Sequence, residues 1–131
     1  MIARHREPWE PRQNKESSAS YAHVFLCHAY LYVFSDRYGI EPLQQLIRQK
    51  LRLTLSRFSL FEDRVPDIVE LVKYIYKHSS TIDHDQGIDR MRSLVIDYVV
   101  CHLEVIAKDD NFERMLQEPG ALAKDLLLKL L

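Results

Sequence analysis

Residues Tyr21 to Tyr38 read YAHVFLCHAYLYVFSDRY, and how this stretch is buried decides the arrangement of the rest. Set on a helix at about 100° per residue, Val24, Leu31 and Tyr38 form one stripe. Ala22, Phe25, Leu26, Ala29 and Val33 form a second, and Cys27, Tyr30 and Phe34 fill much of what remains. A surface helix carries one apolar stripe, whereas a helix that is apolar all round is buried. The stretch is therefore expected to be a central helix with the others packed around it.

Working outward, Ser20 is a plausible N-cap, and Gly39 follows Tyr38 where a helix C-terminus favours glycine. Pro42 suits the first turn of a second helix, which runs to about Phe58 on Leu43, Leu46, Ile47, Leu51, Leu55 and Phe58. Pro66 opens a third helix to about His78, with Ile68, Leu71, Val72 and Ile75 as its stripe. A fourth runs from about Gln86, capped by Asp85, to Lys108. Asp110 to Gln117 reads as a short fifth helix with Glu113 as a capping-box partner. After Pro119-Gly120, Ala121 to Leu131 forms the last, with Leu122, Leu126, Leu127 and Leu130 inward. The expected fold is all-α: a single-domain orthogonal bundle of about six helices around a buried central helix. Residues 1–19, polar and aperiodic, read as a flexible N-terminal tail, and 20–131 as the helical domain. Trp9 in that tail is read as folding back on the domain or dangling, in preference to a docking peptide.

Composition narrows the function classes. The chain has 131 residues, 47% hydrophobic and 28% charged, with only three glycines, too few tight-turn residues for an all-β or doubly wound fold. A net charge of −1 argues against a dedicated nucleic-acid binder, which needs a basic excess. The longest apolar run is broken by His23 and His28 and falls short of the roughly 20 residues of a membrane span. No secretory signal is legible, and two cysteines make no disulfide framework. The reading is an intracellular protein, cytoplasmic or nuclear, with two free, buried and inert thiols.

Reactive constellations are sparse. His23 and Cys27 stand four apart and face the same way, half of a metal site; the natural second half, Cys101 and His102, is adjacent in sequence and diverges by about 100°. Asp83 to Asp89 misplaces both the glycine and the terminal glutamate of a calcium loop and reads as an acidic cap for the next helix. No nucleophile elbow and no glycine-rich phosphate loop is present. The expectation is no enzyme, no cofactor and no metal. The alternative is a small metal-binding helical enzyme or sensor built on His23, Cys27 and His102. From Pro42 to Phe58 there are Arg48, Lys50, Arg52 and Arg57 and no acid, while Glu104 to Asp125 holds six acids against three bases. Charge runs are usually solvated, yet Arg48 and Arg52 are the best candidates for contacts to an acidic partner.

His28-Ala29-Tyr30-Leu31-Tyr32-Val33-Phe34-Ser35-Asp36-Arg37-Tyr38 resembles the H-A-x-x-Y-x-x-A-D-K-Y run of fungal BTB/POZ proteins, where it belongs to the helical half of the domain. Val69 to Tyr76 and Arg92 to Val99 are similar to the helical extension that follows. The resemblance spans roughly Tyr21 to Leu131. The β-sheet segment that begins a BTB domain has no counterpart here, and in the family dimerisation and much of the cullin-binding surface depend on that segment. The resemblance implies a non-enzymatic protein–protein interaction module, an adaptor with a protein partner related to ubiquitin ligases. It implies no catalytic residues; no nucleic-acid or membrane partner is expected, on the charge and apolar run lengths given above, and a homo-oligomer is left open.

Overall fold

The computed structural model describes Pro11 and residues 13–16, 18–78 and 89–131. Among the described residues there are seven α-helices and no strand: α1 Ala22–Arg37, α2 Glu41–Arg57, α3 Val65–Lys77, α4 Arg90–Cys101, α5 Leu103–Ile106, α6 Asp110–Gln117 and α7 Ala121–Leu130. A 3-10 turn, Glu62–Arg64, leads into α3. The all-α bundle expected from the sequence is present.

The buried centre is α3, not the Tyr21–Tyr38 helix. Val65, Ile68, Val69, Leu71, Val72 and Ile75 are all buried, and α3 touches α1, α4, α5 and α6. Each of these side chains contributes about 1.5–3 kcal/mol by leaving water. In α1 only Phe25, Ala29, Tyr32 and Ser35 are buried. They lie on one side of the helix, so α1 is a flank helix with a single inward stripe. Its all-round apolar character reflects an apolar outer face, not burial on every side.

The ends of α1 and α2 follow their local chemistry. Gly39 adopts φ 66°, a left-handed backbone that glycine takes without steric penalty. The Gly39 N–H donates to the Asp36 carbonyl at 3.2 Å and the Ile40 N–H to the Ser35 carbonyl at 2.8 Å, the paired bonds of a Schellman C-cap. The chain thus reverses in one residue, and α2 returns alongside α1 with Pro42 in its first turn.

Ahead of α1, Asn14 is buried. Its Nδ2 donates to the Ser59 carbonyl at 2.8 Å, and the Ser59 N–H donates to its Oδ1 at 2.6 Å. This reciprocal amide clasp fixes the lead-in segment to the α2–α3 connection. Asp67 adds a second tie: its Oδ2 accepts the Tyr21 N–H at 2.7 Å and its Oδ1 the Ser20 hydroxyl at 3.3 Å.

The fourth helix is interrupted at His102. Its N–H reaches the Tyr98 and Val99 carbonyls at 3.2 Å each, and φ of −121° ends α4 before α5 begins. The N-cap of α4 is Asp89, whose Oδ2 accepts the N–H groups of Met91 and Arg92. Asp85 and Gln86, like Trp9 and the Asp83–Ile88 stretch, lie outside the described residues. In α6 the cap is Asp109, whose Oδ1 accepts the Phe112 N–H at 3.0 Å. The inward stripe of α7 is Leu122, Asp125 and Leu126; Leu127 and Leu130 are exposed, because a buried acid takes the place expected of a leucine.

That acid holds the C-terminal half together. Asp125 Oδ2 accepts from Tyr76 Oη at 2.6 Å, Arg92 Nε at 3.0 Å and Arg92 Nη2 at 2.6 Å. The Arg92 guanidinium also lies over the Tyr76 ring, 5.0 Å from its centroid. Burial opposes the charge on Arg92, but the Asp125 carboxylate outweighs it, and the guanidinium pKa ends above its ordinary value. Burial, then the bond to Asp125 and its charge, pushes the Tyr76 hydroxyl well above the normal phenol range.

Candidate interaction surface

The outward face of α1 is the most unusual surface of the molecule. Tyr30, Leu31, Phe34 and Tyr38 are 52%, 44%, 49% and 64% exposed, although all four are large and apolar. The positions recur at three- and four-residue spacing, so they share one face, roughly opposite the buried Phe25, Ala29 and Tyr32. The Phe34 and Tyr38 rings lie 4.7 Å apart. Tyr30 meets Tyr74 of α3 edge-on at 4.7 Å, and Tyr74 lies 4.0 Å from His78. The exposed face is therefore tied to α3 through Tyr30, while Phe34 and Tyr38 support each other. At about 150–250 Å² per aromatic side chain, these half-exposed groups amount to roughly 400 Å² of surface. Patches of that size on a monomer are often binding sites.

Charge borders this face. Arg37 is exposed at its C-terminal end. On α2, Arg48 is half-buried over the Tyr32 ring, 6.0 Å from the centroid, which orients that flank of α2 toward α1. Arg52, one turn further along, is exposed on the same flank. Of the two arginines singled out by sequence, Arg48 therefore supports the α1–α2 contact and Arg52 is exposed. Burial raises the Tyr32 pKa to about 12; the Asp89 charge adds to the rise and Arg48 opposes it. The Tyr32 hydroxyl donates to Asp89 Oδ1 at 3.1 Å.

The metal-site candidates do not come together. His23 and Cys27 are exposed on α1, whereas half-buried His102, at the break between α4 and α5, lies against Tyr98 with ring centroids 4.4 Å apart. No three His, Cys, Asp or Glu side chains form a metal-sized group among the described residues. The expectation of buried thiols is also corrected: Cys27 and Cys101 are both free and exposed, each on the solvent side of a helix that buries its opposite face. No helix among the described residues is long and apolar enough to cross a membrane.

Sequence reasoning missed one more site. α3, α6 and the start of α7 enclose a cleft of about 340 Å³ whose lining includes Lys73, Lys77 and Arg114. These cations are scattered along the chain, and only the tertiary arrangement unites them. Asp125 did leave a trace, as an acid in the middle of a leucine-rich helix face.

No family model, curated protein or solved structure matches the chain.

Proposed function

We propose that this chain is a non-enzymatic protein–protein interaction module that docks a partner on the outward face of α1. The observation that supports this reading is the placement of Tyr30, Leu31, Phe34 and Tyr38 on the solvent side of a helix whose core contacts are made by other residues. A face needed only for folding would carry polar groups there. The exposed apolar surface is about half of the roughly 800 Å² that each partner contributes to a stable interface, which suits the apolar centre of a contact completed by a polar rim. Arg37 borders it with positive charge and exposed Arg52 adds charge on the neighbouring α2, so the matching partner presents an apolar stripe accompanied by carboxylates. The likeness of His28–Tyr38 to the fungal BTB pattern supports the same class and adds an adaptor role, with a ubiquitin-ligase component as the partner it suggests.

A photo-crosslinking residue placed at Phe34, and as a control at exposed Glu70 on α3, tests the reading in cells. The expected outcome is a discrete adduct from position 34 with one other protein, absent from position 70 and weakened by Arg52→Glu. A folded position-34 variant that yields no adduct overturns it. An adduct with a second copy of the chain, matched by a doubled mass in light scattering, overturns the heterologous partner.

A further inference from the structure

We propose that the cleft between α3, α6 and the start of α7 binds a small phosphate monoester carried on an apolar body. This site lies on elements other than the α1 face and stands independently of the docking reading. Its volume of about 340 Å³ falls within the range of small-molecule sites. Lys73 and Lys77 come from one face of α3 and Arg114 from α6, and all three line the same space. Like charges four apart on a helix cost a few tenths of a kcal/mol, and none of these three cations has an ion-pair partner within 4.0 Å among the described residues. Folding alone does not call for such a concentration of positive charge.

Glu118 is the one acid among the described lining residues, so those residues carry an excess of two positive charges. A phosphate monoester, with a charge of roughly −1.5 to −2 at neutral pH, matches that excess better than a single carboxylate. Met115 and Leu122 provide an apolar wall for the rest of the ligand. The first turn of α7 opens into the same space, and its N-cap, Gly120, supplies no side chain to satisfy the free N–H groups. The cleft is also built on a fixed floor: Tyr76 lines it while its hydroxyl is bonded to buried Asp125. The floor is therefore preformed, and only the exposed Lys73, Lys77 and Arg114 side chains have to settle on an anion.

The test uses the full chain and phenyl phosphate, followed by amide chemical shifts at low salt, with phenol and inorganic phosphate as comparison ligands. Phenyl phosphate is expected to shift the amides of Ala121 and Leu122 and to saturate in the millimolar range or below. Lys73→Glu combined with Arg114→Glu is expected to weaken it about tenfold or more with an unchanged melting temperature. Glu118→Gln is expected to tighten it. Non-saturating shifts in the wild type, or equal affinity in the double variant, overturn the site. Equal binding of inorganic phosphate overturns the apolar-body requirement. Equal binding of phenol overturns the phosphate requirement.

Discussion

At the scale of single residues, the buried polar groups are nearly all partnered, and the exceptions are informative. Tyr98 Oη is buried with no hydrogen-bond partner among the described residues. A buried unsatisfied hydroxyl costs about 1–3 kcal/mol, so Tyr98→Phe is expected to leave stability unchanged or raise it by about 1 kcal/mol at neutral pH. Burial, with a smaller push from Cys101, raises the Tyr98 pKa to about 12, against about 10 in the unfolded chain. The folded protein therefore holds this proton longer. Its contribution to stability is complete below pH 10, falls as pH rises from there, and levels off above about 12. Tyr98→Phe removes that part of the alkaline loss, so urea denaturation at neutral pH and near pH 11 should show a smaller difference in the variant than in the wild type. A variant less stable at neutral pH would mean that the hydroxyl has a partner.

At the scale of elements, the helix signals divide into those set by local chemistry and those set by neighbours. The glycine reversal after Tyr38, the proline starts of α2 and α3, and the bounds of α6 were legible because caps and turns depend on residues next to one another. Asp89 shows how a cap can do more. It closes the N-terminus of α4 and also accepts from Tyr32 of α1, so it joins two helices distant in sequence. Asp89→Ala is expected to cost about 2 kcal/mol or more, the upper end of the range for a cap alone, because the Tyr32 bond is lost with it. Denaturant titration measures this. A loss below about 0.5 kcal/mol, typical of an ordinary surface change, would mean that neither bond contributes. Asp85, chosen from sequence for the cap of the fourth helix, could not be separated from Asp89 by spacing alone. The break at His102 was also hidden, since Met91 to Ile106 holds one apolar pattern across it.

At the scale of the whole molecule, the sequence made the all-α class legible but misplaced its centre. Composition alone cannot distinguish a helix apolar because it is buried from one apolar because it presents a docking face, and Tyr21–Tyr38 has both kinds of residue. The residues that unite the C-terminal half were equally hidden, since Tyr76, Arg92 and Asp125 meet only through the tertiary fold. Because Asp125 anchors both Arg92 and Tyr76, Asp125→Ala removes the buried carboxylate that the guanidinium and the phenol share. It is expected to cost about 3–5 kcal/mol. Arg92→Met combined with Asp125→Leu is expected to recover most of that loss, since the two opposite buried charges are removed together. Equal destabilisation by the single and double variants in urea would show that packing, not charge, dominates there.

The clasp between Asn14 and Ser59 has a consequence for the order of events in time. Its two partners are 45 residues apart, and the chain between them contains both α1 and α2. Closing so long a loop costs entropy before two hydrogen bonds can repay it, so the clasp is expected to close after the helix pair has docked. An interaction formed after the rate-limiting step sets how fast a protein comes apart, not how fast it assembles. The short lead-in ahead of α1 is thus expected to act as a kinetic latch, prolonging the life of a fold it does little to build.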